Sequence, residues 1–206
     1  MKKFMIIWFT LVFIVGCSLE QELKTSNKKD VLDNAIVIAD ETTVKKEIQS
    51  NLNYFLHKHN RHWSWINKKL FVEIVYAGQV EFGISSKIVM AIISVESQYN
   101  IRAQGRNRNS IDYGLTQQNS KYINRRYASA EKRLKALGFK YSSSIYDISK
   151  NVFACYAYLY NMSDIPELLY FRDYIDAYNK GVHGALKNKT DDLYYQKFMT
   201  EYMEIL

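Results

Sequence analysis

The stretch VMAIISVESQYN, residues 89–100, is an apolar run that closes on a carboxylate. On a helix, Glu96 shares a face with Val89, Ile92 and Ile93. Burial beside aliphatic side chains disfavours an ionised carboxyl, so Glu96 is suited to hold its proton near neutral pH and to act as a general acid. Opening a glycosidic bond needs such a group, because the leaving sugar oxygen must be protonated. The competing reading is a helix-end glutamate that reaches water or caps a backbone group, and residue type alone favours it. Asp112, sixteen residues later (112 minus 96), is a possible second carboxylate.

The company of Glu96 decides between these readings. ESQYN is followed by SIDYGLTQQNSKY and later by DAYNKG. Over about residues 80–186 the chain resembles the lysozyme-like lytic transglycosylase (SLT) family of the bacterial envelope. Glu96 and Ser97 resemble the family's Glu-Ser motif, whose glutamate is the catalytic acid/base. Gly114, Leu115 and Gln117 resemble its Gly-Leu-Met-Gln motif, with Thr116 departing at the methionine. Ala177, Tyr178, Asn179 and Gly181 resemble Ala-Tyr-Asn-Ala-Gly. Any one motif is weak, but three in order are specific.

The resemblance implies a peptidoglycan substrate and a groove to which Ser97, Tyr113, Gly114, Gln117, Tyr178 and Asn179 contribute. Glycine at 114 admits a sugar ring close to the backbone, and the Gln117 amide offers a donor and an acceptor. Tyr178 is suited to hold Glu96 or a sugar through its hydroxyl. No metal or organic cofactor is implied.

Asp112 separates two mechanisms, because Asp-Tyr-Gly also resembles animal lysozymes, in which that aspartate is catalytic. If Asp112 faces the cleft about 5 Å from Glu96, it can stabilise or trap the glycosyl cation, and water completes a hydrolysis. If it turns away to cap a backbone turn, Glu96 acts twice. It first protonates the leaving oxygen, then as a carboxylate takes the proton from the C6 hydroxyl of muramic acid, closing a 1,6-anhydro ring. The AYNKG segment favours the second route. A third reading, from another class, is a wall-binding lipoprotein without activity.

The elements that position these residues are helices. One proline, eight glycines and no run of alternating β-branched residues predict an all-α fold of about six to eight helices with a substrate groove. Val44, Ile48, Leu52, Phe55 and Leu56 mark one helix. Ile66, Leu70, Phe71, Ile74 and Val75 mark another, ending near Gly78. Ser85 or Ser86 caps the helix that carries Glu96. Residues 100–111 read as a polar, basic loop. Further helices are expected around 119–137, stopped by Gly138, and around 144–162, 166–180 and 190–204. A single domain, 41–206, contains them all.

The N-terminus sets the compartment. Lys2 and Lys3, a short apolar run, Gly16 and Cys17 resemble a bacterial lipoprotein signal at 1–16, with Cys17 acylated and 17–40 a flexible spacer. An ordinary secretory signal or a marginal membrane anchor, with Cys17 incidental, is the alternative. The implied location is the cell envelope, lipid-anchored to a membrane and facing the periplasm or wall, as a monomer. The net charge of +7, or +5 once Lys2 and Lys3 leave, suits an anionic envelope polymer, and export argues against nucleic acid. Arg102, Arg106 and Arg108 therefore read as a solvated loop or as contacts to stem-peptide carboxylates. His57, His59 and His62 read as solvated surface and not as metal ligands, because no spaced carboxylate or cysteine completes a set. Cys155 reads as a small buried residue.

Overall fold

The computed structural model describes residues 40–187 and 193–205, so the expected signal at 1–16, Cys17 and most of the 17–40 spacer lie outside the described residues. Seven helices and a small sheet occur among the described residues. Helix α1 (Glu41–Lys58) is capped by Asp40, which accepts from the N–H groups of Thr42 and Thr43, and it buries Ile48, Leu52, Phe55 and Leu56. Helix α2 (Trp65–Phe82) starts at the Ser64 cap and ends at left-handed Gly83.

Gly78 does not end α2, contrary to expectation. It is buried mid-helix with the ring of Tyr156 packed directly on it, where a Cβ would collide with the aromatic carbons. The glycine serves close helix approach, a purpose that sequence does not distinguish from termination.

Helix α3 (Ser86–Ser97) is the centre of the molecule: Ser85 caps it, and every side chain from Ile88 to Ser94 is buried. It ends abruptly because Gln98 and Tyr99 both adopt left-handed backbone, at φ 50° and 57°. Such conformations cost about 1–3 kcal/mol each for non-glycine residues, so the surroundings must impose them. Tyr99 is fully buried, stacks on Phe55 at 5.3 Å between ring centres, and donates its hydroxyl to the Met90 carbonyl. Its own carbonyl accepts from Trp63 Nε1 at 3.0 Å. The chain is thus turned sharply one residue past Ser97, which leaves Glu96 at the helix end.

Within the expected loop at 100–111, residues 104–107 and 110–111 instead join a three-stranded antiparallel sheet of β1 (Gln104–Asn107), β2 (Ser110–Tyr113) and β3 (Gln118–Asn119), in the order β1-β2-β3. Gly105 pairs with Asp112, and Asp112 pairs in turn with Asn119. Arg, Asn and Gly have little strand propensity, and no apolar alternation marks these segments. Backbone pairing and side-chain amides hold them instead.

Four helices complete the domain: α4 (Ile123–Ala136), α5 (Ile148–Ser163), α6 (Phe171–Lys187) and α7 (Leu193–Met203). The first three begin several residues later than expected. The start of the first is taken by β3 and a turn, and Asp147 caps α5 by accepting from Lys150 N–H. Gly181, the last residue of AYNKG, breaks α6 at φ 72° and ψ 159°. Helix α5 packs against α2 and α4, and α3 packs against α7. The fold is all-α and lysozyme-like, with the sheet as an appendage beside the end of α3.

His59 departs from the solvated reading, whereas His57 and His62 are exposed. His59 is half-buried, with Nε2 2.6 Å from Ser94 Oγ, which itself donates to Glu201 Oε2 at 2.7 Å. Since the serine proton goes to the carboxylate, Nε2 must be the protonated nitrogen. Burial lowers the His59 pKa, so this network links α1, α3 and α7 through a neutral ring. Among the described residues no cluster of three or more His, Cys, Asp or Glu side chains is placed to hold a metal.

Candidate active site

The apolar face that carries Glu96 into the domain also determines its chemistry. Burial raises the Glu96 pKa to about 7, a hydrogen bond from Tyr194 partly opposes this, and the charge of Asp112 adds to the rise. Tyr194 Oη donates to Glu96 Oε1 at 2.5 Å. Burial, and then Glu96 itself, holds the Tyr194 phenol well above its ordinary range, so it remains a donor whenever the carboxyl ionises. Oε2 is left to carry the proton.

Glu96 opens on a cavity of about 330 Å³. Larger hollows of about 600 and 550 Å³ lie on other faces, and neither touches Glu96. One wall of the cavity is the sheet, with Asn107, Asp112 and Asn119, together with Gln117 of the turn before β3. Helix α6 contributes Tyr178, Asn179, Lys180 and Gly181 around its break, and the rest of the lining comes from Tyr122 before α4, Arg126 of α4 and Tyr158 of α5. Asp112 does not cap a backbone turn. Its two oxygens accept from the side-chain amides of Asn107 and Asn119, each at 2.6 Å, which fixes the carboxylate in the cavity wall.

The GLTQ turn is built around Asn151 of α5. The Asn151 side chain donates to the Tyr113 carbonyl and to Tyr127 Oη, and its Oδ1 accepts from Thr116 N–H at 2.7 Å. Gly114 has φ 78°, and a Cβ there would lie 2.5 Å from Asn151 Nδ2. The glycine therefore makes room for this amide, where the expectation was room for a sugar. Thr116 is fully buried, and its Oγ1 lies within hydrogen-bonding distance of both Asn151 oxygens and of Gln118 Nε2. The departure from methionine is thus a polar core substitution and does not alter the cavity surface.

Glu96, Asp112, Gln117, Tyr178 and Asn179 are brought together around one cavity. Ser97 and Tyr113 do not join its lining. The buried Ser97 hydroxyl donates to the Ile93 carbonyl at 3.1 Å, and the Tyr113 ring packs edge-on against Tyr146. Tyr178 gives its hydroxyl to the Thr116 carbonyl at 2.8 Å, so it ties α6 to the GLTQ turn, and the phenol on Glu96 belongs to Tyr194. A family model described as Transglycosylase SLT domain matches residues 73–198, more than half of the chain. The chain belongs to that family. No curated protein matches it.

The SLT domain match runs from within α2 to within α7 and so includes both Glu96 and Tyr194. Sequence reading missed Tyr194, Asn151 and Arg126. Tyr194 is one of 17 tyrosines with nothing local to mark it. Asn151 carried a faint signal, an amide within the otherwise apolar face of the α5 segment. Cys155 is fully buried in α5, and burial pushes its thiol up to about 12, which leaves it inert. Membership makes this a cell-wall-associated transglycosylase in general terms, and no helix among the described residues is long and apolar enough to cross a membrane.

Proposed function

We propose that this protein is a peptidoglycan lytic transglycosylase that cleaves the β-1,4 bond between N-acetylmuramic acid and N-acetylglucosamine. The observation that carries the reading is a single carboxyl, Glu96, poised near neutrality at the edge of a polar cavity. A group with a pKa near the working pH can both give and accept a proton, as this reaction requires. Glu96 donates its proton to the glycosidic oxygen as the C1–O bond breaks. The resulting carboxylate, held by Tyr194, then removes the proton of the C6 hydroxyl, whose oxygen bonds to C1. Glu96 ends protonated as it began, and the product carries a 1,6-anhydro ring.

One observation favours hydrolysis as a second reading: Asp112 faces the same cavity and acts electrostatically on Glu96. There Asp112 would stabilise the glycosyl cation while water attacks C1. Mass analysis of muropeptides released by the full chain tests both. Anhydro ends support the transglycosylase, products heavier by one water support the muramidase, and no products leave a wall-binding lipoprotein. Export and acylation of Cys17 belong to the same proposal, with the chain acting as a monomer. Incorporation of labelled palmitate that is lost in Cys17→Ala tests the anchor.

A further inference from the structure

Arg126 and Lys180 are the basic residues of the cavity; Lys180 lies 4.0 Å from the Asp176 carboxylate, and Arg126 is the one that this mechanism leaves unused. Its guanidinium lies 3.8 Å from the centre of the Tyr158 ring, and Nη1 donates to Gln118 Oε1 at 3.0 Å. Gln118 is fully buried and donates in turn to Thr116 Oγ1 and Tyr178 Oη. The plane of the guanidinium is therefore set by a rigid part of the core. A guanidinium has five N–H donors, and this arrangement uses one. No acidic side chain of the described residues pairs with Arg126, although it shares the cavity with Glu96 and Asp112.

A pre-oriented guanidinium with open donors matches a carboxylate better than a hydroxyl or an N-acetyl group. Neutral β-1,4 polymers of N-acetylglucosamine offer the same backbone and amides as peptidoglycan but no carboxylate. Muramyl residues carry a lactyl group that ends either in a free carboxylate or in a stem peptide bearing several. We propose that Arg126 is a specificity-determining residue that binds a carboxylate on the muramyl side of the substrate, so that the cavity accepts peptidoglycan strands in preference to neutral chitin-type strands. This rests on the peptidoglycan reading of the site.

The test measures binding with the full chain carrying Glu96→Gln, so that no ligand is consumed. Titration calorimetry compares three tetrasaccharides: murein bearing stem peptides, murein stripped of them so that lactyl carboxylates are free, and chitotetraose. The expected result is murein binding about tenfold or more tighter than chitotetraose, with Arg126→Gln reducing that ratio to about twofold or less while chitotetraose affinity holds. Arg126→Lys, which keeps charge without the fork, falls between. Loss confined to stripped murein assigns the lactyl carboxylate, and loss confined to the stem-bearing ligand assigns the peptide. Equal loss for all three ligands would show that Arg126 only supports Gln118 and Tyr158, and would overturn the proposal. So would an unchanged ratio, or no preference for murein while Arg126 is present. The cleavage assay with Glu96 intact reports separately on the proposed reaction.

Discussion

Tyr194 Oη lies 2.5 Å from Glu96 Oε1, so a phenol from α7 holds the carboxyl that ends α3. Two residues 98 positions apart in the chain thus form one proton-handling unit. Burial favours the protonated carboxyl and the phenol favours the carboxylate, and the balance lies at about 7.

Tyr194→Phe removes the group that lowers the Glu96 pKa, so that pKa should rise. The alkaline limb of kcat/KM should move to higher pH, while kcat falls about tenfold or more because the carboxylate that accepts the C6 proton loses its partner. A pH–rate profile of the variant checks both effects. An unmoved limb would show that Tyr194 only packs.

Glu96→Gln should lower cleavage by about 10²–10⁴-fold, the usual worth of a positioned general acid, with the fold retained. In the native chain, kcat/KM should fall as pH rises above about 7, where Glu96 loses the proton it must donate. Retained muropeptide release by the variant would end the assignment.

The same shift makes a stability prediction. Folded Glu96 titrates at about 7 against 4.5 for an ordinary glutamate, so between those limits the folded state binds more proton than the unfolded state. Stability therefore declines as pH rises through that window. Glu96→Gln removes the titration and should stabilise the protein by about 1–3 kcal/mol at pH 8, with little of that gain at pH 4. Urea midpoints of both proteins across pH measure the difference.

Asp112→Asn should retain more than about a tenth of the cleavage activity and still yield anhydro products, since the transglycosylase route needs no second carboxylate. Both oxygens of Asp112 receive amide protons, so the substitution also disturbs Asn107 and Asn119. Loss down to the level of Glu96→Gln, with the sheet still folded by circular dichroism, would instead favour the hydrolase.

Gly114→Ala should cost about 2–4 kcal/mol, combining left-handed backbone with a clash against Asn151 Nδ2. Asn151→Ala should cost a similar amount by leaving Thr116 N–H and the Tyr113 carbonyl unsatisfied. Thermal melts detect either loss. A double variant less destabilised than the sum of the two would show that both act on the same contact.

The helical character of the domain was legible because an amphipathic helix writes its buried face into the chain at a fixed period, as Ile48, Leu52 and Phe55 do in α1. Glu96 was legible for the same reason, since a carboxyl at the end of such a face is conspicuous. The sheet was not, because its strands are short, polar and held by backbone pairing, which leaves no mark on side-chain order. Gly78 and Gly114 were read as a helix stop and a sugar contact, yet each makes room for a side chain of α5, Tyr156 or Asn151.

The sequence by itself determined the helix faces, the family motifs and the candidate acid, all matters of residue type and near spacing. Tertiary structure alone decided that Tyr194 meets Glu96, that Asp112 faces the cavity, and that Arg126 lines the same cavity, held by Tyr158 and Gln118. These depend on the packing of α5 and α7 against α3 and of α4 against α5. Contacts between residues remote in the chain arise from how whole surfaces fit, and no local pattern of types records that fit.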